Sequence, residues 1–175
     1  RARSYLHANC RHCHRNNGGG GSTIELDASF DLEAMKAVGV TPTQGKFEIL
    51  GAEVIAPGDP YRSVLLYRMS KLGKGRMPYS GSSIVDIEGT RLIQEWIERL
   101  PTRPHELQFE IARQRNRQVN LLEDAIQIED QDFSGQKLQE VIGTTSGGLM
   151  LLNALDRQPM SEDTQKQIVR LATQG

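Results

Sequence analysis

Cys10-Arg11-His12-Cys13-His14 places two thiols three positions apart and an imidazole directly after the second. That is the attachment pattern of a c-type haem, because the thiols suit thioethers to two vinyl groups while the adjacent histidine reaches the iron as proximal ligand. Three expectations follow together: one covalent haem c, its anchors Cys10 and Cys13, and one axial ligand, His14. The same atoms leave a second metal open. His7, Cys10, Cys13 and His14 are all donors that zinc accepts, although adjacent Cys13 and His14, with no second separated pair, make a poor tetrahedral set. A thioredoxin-like dithiol needs a strand–helix context that the flanking sequence lacks.

Upstream of the motif the residues favour a helix over 2–12. Downstream, Asn16-Asn17 and Gly18–Gly21 break the backbone into a permissive loop that either passes close to a flat ligand or makes a flexible surface turn. Residues 23–54 read mostly as loop, with Leu32, Met35 and Val38 on one face of a short helix. At Pro57-Gly58-Asp59-Pro60, Asp59 is a candidate cap and Pro60 a first helical residue. Val64, Leu65, Arg68, Met69 and Leu72 then share a side until Gly73 stops the helix. A second amphipathic helix is expected from Asp86 to Leu100, where Ile93, Trp96, Ile97 and Leu100 recur at helical spacing before Pro101. Its natural partner is the helix 2–12.

A haem ligated by His14 needs a ligand on its other face. Met77 in Gly75-Arg76-Met77-Pro78 is the candidate, since Pro78 restricts it toward an extended conformation and glycines 73, 75 and 81 give a loop able to wrap one face of a ring. A thioether favours Fe(II), so His14/Met77 ligation suits reversible one-electron transfer. Met69 faces apolar neighbours on its helix and reads as core. His7 reads as a surface or helix-packing residue and His12 as pointing away from the ring, with a bis-histidine haem as the alternative. Between 61 and 76 the charged residues are all basic: Arg62, Arg68, Lys71, Lys74 and Arg76. Arg68 and Arg76 are assigned to the haem propionates, and the others either solvate the surface or steer an acidic partner.

Beyond Pro101-Thr102-Arg103-Pro104 the pattern is helical and free of cysteine. Helices are expected over 105–118 with continuation to Ile126, then over 135–142 behind a Ser134 cap, to Asp156 behind a Thr145 or Ser146 cap, and to Thr173 behind a Ser161 cap. An acidic turn at Asp130–Asp132 separates the first two. Residues 1–100 hold 13 Lys/Arg against 11 Asp/Glu and residues 101–175 hold 8 against 11, a balance that favours neither nucleic acid nor an acidic membrane. No run of apolar residues is long enough for a transmembrane segment.

Tyr5 to Arg15, Pro57 to Leu65 and Arg76-Met77-Pro78 together resemble the cytochrome c domains of large exported proteins of planctomycete-type bacteria, over about residues 1–100. The resemblance implies an all-α, class I-like cytochrome c domain at 1–100 with a C-terminal helical extension at 101–175. It implies His14 and Met77 as axial ligands and terminal helices that cross beside the haem. It also gives the Pro57 carbonyl to the outer nitrogen of His14. Such domains usually carry two prolines after the methionine, whereas this chain has Pro78-Tyr79. Thr144 to Leu149 and Leu155-Asp156-Arg157 are similar to the helical region that follows such domains. The implied function is a single-electron carrier, not an enzyme, that relays electrons from an exported dehydrogenase to another haem protein, its redox partners including other domains of a longer chain, in the periplasm or another exported location. A haem enzyme or gas-binding module with an open distal face is the alternative, and His105 gives it little help.

Overall fold

Asp86 shows how a short signal starts an element: its Oδ1 accepts from the Gly89 N–H at 2.9 Å, which satisfies one of the free donors at a helix start. The computed structural model describes residues 1–126, 135–157 and 162–173. Two compact units result, Arg1–Pro104 and His105–Gly175. Among the described residues every regular element is helical, apart from two isolated bridges, Val38 with Ile55 and Glu53 with Ser63.

In the first unit, α1 (Ala2–Cys10) buries Ala2 and Leu6, and α3 (Ile87–Glu98) buries Ile93 and Ile97 in the same core, which Leu100 extends. The expected pairing of the two helices is present. It depends on Gly89, where an added Cβ would lie 2.3 Å from the Tyr5 hydroxyl. That hydroxyl donates to Asp86 Oδ2 at 2.8 Å, so one aspartate both caps α3 and holds α1 against it.

The helix expected from Pro60 to Leu72 is divided. Pro60–Arg62 forms a 3-10 turn, Ser63 is extended at φ −89° and ψ 110°, and α2 runs only from Val64 to Met69. The break follows from the buried Ser63 hydroxyl, which accepts from the Ala56 N–H at 2.9 Å and donates to the Asp59 carbonyl at 3.1 Å. Asp59 does not cap. Its carboxylate pairs with Arg62 Nε at 3.2 Å, and Arg62 also reaches Glu53 at 3.4 Å and the Gly51 carbonyl. Arg62 is therefore buried, not a solvated or steering cation. Removing one partner from such a buried group costs about 3–5 kcal/mol, because the remaining charges stay out of water. Leu72 lies past the end of α2 and is exposed.

Residues 23–54 are loop, as expected. The short helix through Leu32, Met35 and Val38 is a turn instead, which ends at Lys36 in the left-handed region (φ 50°); Met35 and Val38 are nevertheless buried.

The second unit contains α4 (Gln108–Ile126), α5 (Gly135–Ile142), α6 (Thr145–Arg157) and α7 (Glu162–Thr173). Leu122, Ala125, Leu138, Val141, Leu149, Met150, Leu151 and Ile168 are buried. Thr144, one residue before the expected candidates, supplies the cap: its hydroxyl accepts from the Gly147 N–H at 3.1 Å and from Gln118 Nε2 at 2.6 Å. The acidic turn at Asp130–Asp132 and the caps at Ser134 and Ser161 lie outside the described residues.

Candidate functional site

The attachment motif begins where α1 stops. The N–H groups of Cys13 and His14 both turn back to the Cys10 carbonyl, at 3.2 and 2.9 Å, so the two thiols and the imidazole sit on one tight turn at the helix C-terminus. Both cysteines are free, and Cys10 packs against the core. Burial first and the neighbouring Cys13 second push the Cys10 thiol up to about 11. Nucleophilic Cys-x-x-Cys pairs depend on the opposite effect, a thiolate stabilised at a helix N-terminus or beside a cation. Cys10 is the last residue of its helix, where the dipole disfavours negative charge.

Residues 18–26 fold back over the motif. Gly20 N–H donates to the Cys13 carbonyl at 3.1 Å and Leu26 N–H to the His14 carbonyl at 2.9 Å. A Cβ on Gly18 would lie 2.2 Å from the Cys13 carbonyl oxygen, and one on Gly20 would lie 2.9 Å from His14 Nδ1. Gly18 and Gly20 thus allow close approach to the motif itself, whereas Gly19 and Gly21 face open space on the surface. His14 Nδ1 is 3.1 Å from Ser22 Oγ. Burial first, then the charges of His12 and Arg68, hold the imidazole below its ordinary value, so it is neutral at pH 7. With Nδ1 engaged by Ser22, Nε2 is the nitrogen suited to a metal.

Pro57, expected to serve that outer nitrogen through its carbonyl, is replaced there by Ser22. It is buried instead in a turn at the end of α3, where the following Gly58 N–H donates to the Ile97 carbonyl at 2.9 Å. Met77 is anchored through its N–H to the Arg68 carbonyl at 2.9 Å. It lines a cavity of about 300 Å³ with Met69, Tyr5, Asn9 and Ile84, whereas Cys10, Cys13 and His14 are not part of that lining.

The arginines expected at propionates hold loop carbonyls in the protein itself. Arg68 donates to Gly75 at 2.9 Å and to Gln44, with its guanidinium 4.7 Å from the centre of the Phe47 ring. Arg76 donates to Pro78 at 3.4 Å and Tyr79 at 3.1 Å. The Arg68 carbonyl anchors Met77, and its charge adds, after burial and His12, to what lowers the His14 value.

His7 is exposed on the surface of α1, one of the two places expected for it, and belongs to a stripe with Arg3 and with Arg11 just past the helix end. Arg3 donates to the carbonyls of Ala28, at 2.6 Å, and Phe30; His7 Nδ1 accepts from the Ala28 N–H at 3.2 Å; Arg11 pairs with Asp27. The Asp27 carboxyl is held well below the usual range, chiefly by the Ser29 N–H and hydroxyl and then by Arg11. Sequence reading missed Ser22 and this stripe, although the spacing of four residues from 3 to 7 to 11 was a usable signal.

Among the described residues no group of three or more His, Cys, Asp or Glu side chains is placed to hold a metal, and the set His7, Cys10, Cys13 and His14 is not gathered into one. Among the same residues no helix is long and apolar enough to cross a membrane. Comparison with family models, curated proteins and solved structures finds no match. The donor chemistry nevertheless fits a covalent haem. Two free thiols, an imidazole with its outer nitrogen hydrogen-bonded, and a thioether on a braced loop are the groups that a six-coordinate haem c requires.

Proposed function

We propose that residues 1–104 form a class I-like cytochrome c domain that carries single electrons between redox proteins, with residues 105–175 as a helical extension. The observation that carries this reading is the turn at the end of α1, where two free thiols precede a histidine whose outer nitrogen already has a partner. When bound, the haem iron supplies a reversible one-electron couple. Cys10 and Cys13 hold the group covalently, and His14 donates through Nε2 in an orientation fixed by Ser22 and by the Gly20 backbone. Met77 offers a soft sulfur from a loop whose carbonyls are held by Arg68 and Arg76. Such bracing keeps both ligands in place as the charge changes, which is the protein's contribution to fast transfer. Haem attachment of this type places the protein in the periplasm or another exported compartment, where its partners are redox proteins or further domains of a longer chain.

The test is Met77→Ala in the haem-loaded protein, read by oxidised and reduced absorption spectra extended into the near infrared. Loss of the methionine-to-Fe(III) charge-transfer band, with high-spin iron or a replacement ligand, is the expected result. A band unchanged by the substitution removes Met77 from the iron, and material without haem after maturation removes the carrier reading altogether.

A further inference from the structure

We infer that Ser22 is the residue that sets how strongly His14 donates to a metal at Nε2, a positioning role that rests on the proposed haem reading. Ser22 Oγ lies 3.1 Å from His14 Nδ1. A metal on Nε2 fixes the remaining imidazole proton on Nδ1, so the histidine donates and the hydroxyl accepts.

Three features make the contact specific. Gly20, two residues before Ser22, brings its backbone so close to the ring that a Cβ would stand 2.9 Å from Nδ1 and 3.0 Å from Cε1. The Gly20 N–H is tied to the Cys13 carbonyl at 3.1 Å, and Leu26 N–H to the His14 carbonyl at 2.9 Å, so the segment bearing Ser22 is fastened to the motif on both sides. The ring is also partly buried, which limits the water able to take over the hydroxyl's place.

The chemistry gives a direction. An acceptor at Nδ1 draws the proton away and increases the electron density that Nε2 donates, which favours Fe(III) and lowers the midpoint potential. A neutral hydroxyl does this more weakly than an ionised acceptor, whose hydrogen bonds are roughly twice as strong. The side chain at position 22 is thus a graded control of potential that leaves both axial ligands unchanged.

The experiment compares Ser22→Ala, Ser22→Thr and Ser22→Asp in the haem-loaded full chain. Midpoint potential is measured by spectroelectrochemistry, and the His14 Nδ1–H by solvent exchange in the reduced, diamagnetic state. Ser22→Thr is expected to match the unaltered protein, Ser22→Ala to shift the potential upward with faster Nδ1–H exchange, and Ser22→Asp to shift it downward. A purely structural role would change stability without ordering the three potentials in this way. Equal potentials and unchanged exchange in all three overturn the inference, as does a threonine variant that behaves like alanine. Should the alanine variant fail to load haem, the threonine–aspartate pair still decides. If the unaltered chain carries no haem, the proposed function fails first and this inference with it; haem with a flat series removes Ser22 alone.

Discussion

The two units solve the folding problem differently. In Arg1–Pro104, helices α1 and α3 form a core, but the chain between Cys10 and Pro60 contains no helix and is held by individual hydrogen bonds, ion pairs and close backbone contacts. In His105–Gly175 the described chain is largely helix, with apolar faces packed together and a capping threonine between α5 and α6. Long loops inside a compact unit are uncommon unless they carry function. The candidate ligands and their supporting residues are all in the unit rich in loops, and the helical unit contributes none of them.

The sharpest way to break this division is to separate attachment from extension. Replacing Cys10 and Cys13 together by serine is expected to abolish covalent haem, read by haem stain on a denaturing gel, while deletion of 105–175 leaves the haem spectrum unchanged. Loss of the spectrum on deletion would show that the helical unit completes the site.

A smaller effect is expected from one methyl group in each unit. Gly18→Ala places a Cβ 2.2 Å from a backbone oxygen of the motif, and overpacking against immobile backbone costs about 3 kcal/mol. Denaturant titration should show that loss together with lower haem incorporation. Gly147→Ala places a Cβ 2.1 Å from the Val141 carbonyl oxygen, at the close approach of α6 to α5. The gain in helix propensity, about 1 kcal/mol, offsets only part of a clash of up to about 3 kcal/mol. Net destabilisation by about 2 kcal/mol is expected in circular dichroism melts, with no change in the haem bands.

The smallest effect concerns Asp86. Asp86→Ala removes the cap of α3 and should cost about 1 kcal/mol at neutral pH. The Gly89 N–H and the Tyr5 hydroxyl hold this carboxyl below its ordinary value. Its stabilisation is therefore fully present above the ordinary carboxylate range and is lost as pH falls through the depressed value. Stability of the variant and of the unaltered protein, measured against pH, should converge in acid.

How much of this was legible in the sequence depends on the range of the interaction. Helix α3 was readable because Asp86, Ile93, Trp96, Ile97 and Leu100 act through local spacing, and the tail was readable as helical for the same reason. The division at Ser63 was not, since the hydroxyl that causes it is satisfied by Ala56, seven residues back through a turn. Nor was the burial of Arg62, whose partner Glu53 lies in a loop without periodicity. At the site, Cys10, Cys13 and His14 are adjacent in the chain and state their own chemistry. Ser22 reaches His14 only because glycines 18 and 20 let the backbone fold onto the motif, and a run of glycine does not say what it will approach.

The position of Cys10 at the end of α1 also bears on how long the motif survives before it is used. Burial pushes the Cys10 thiol up to about 11, so its thiolate is scarcer at neutral pH than that of an ordinary cysteine. Thiolate is the attacking species in disulfide exchange, and a thiol of high pKa is also a slow leaving group. If the pair carries the proposed haem, closure of Cys10 onto Cys13 would compete with thioether formation for the same two sulfurs, and burial of the first thiol would slow that competitor and keep the pair open to its cofactor for longer.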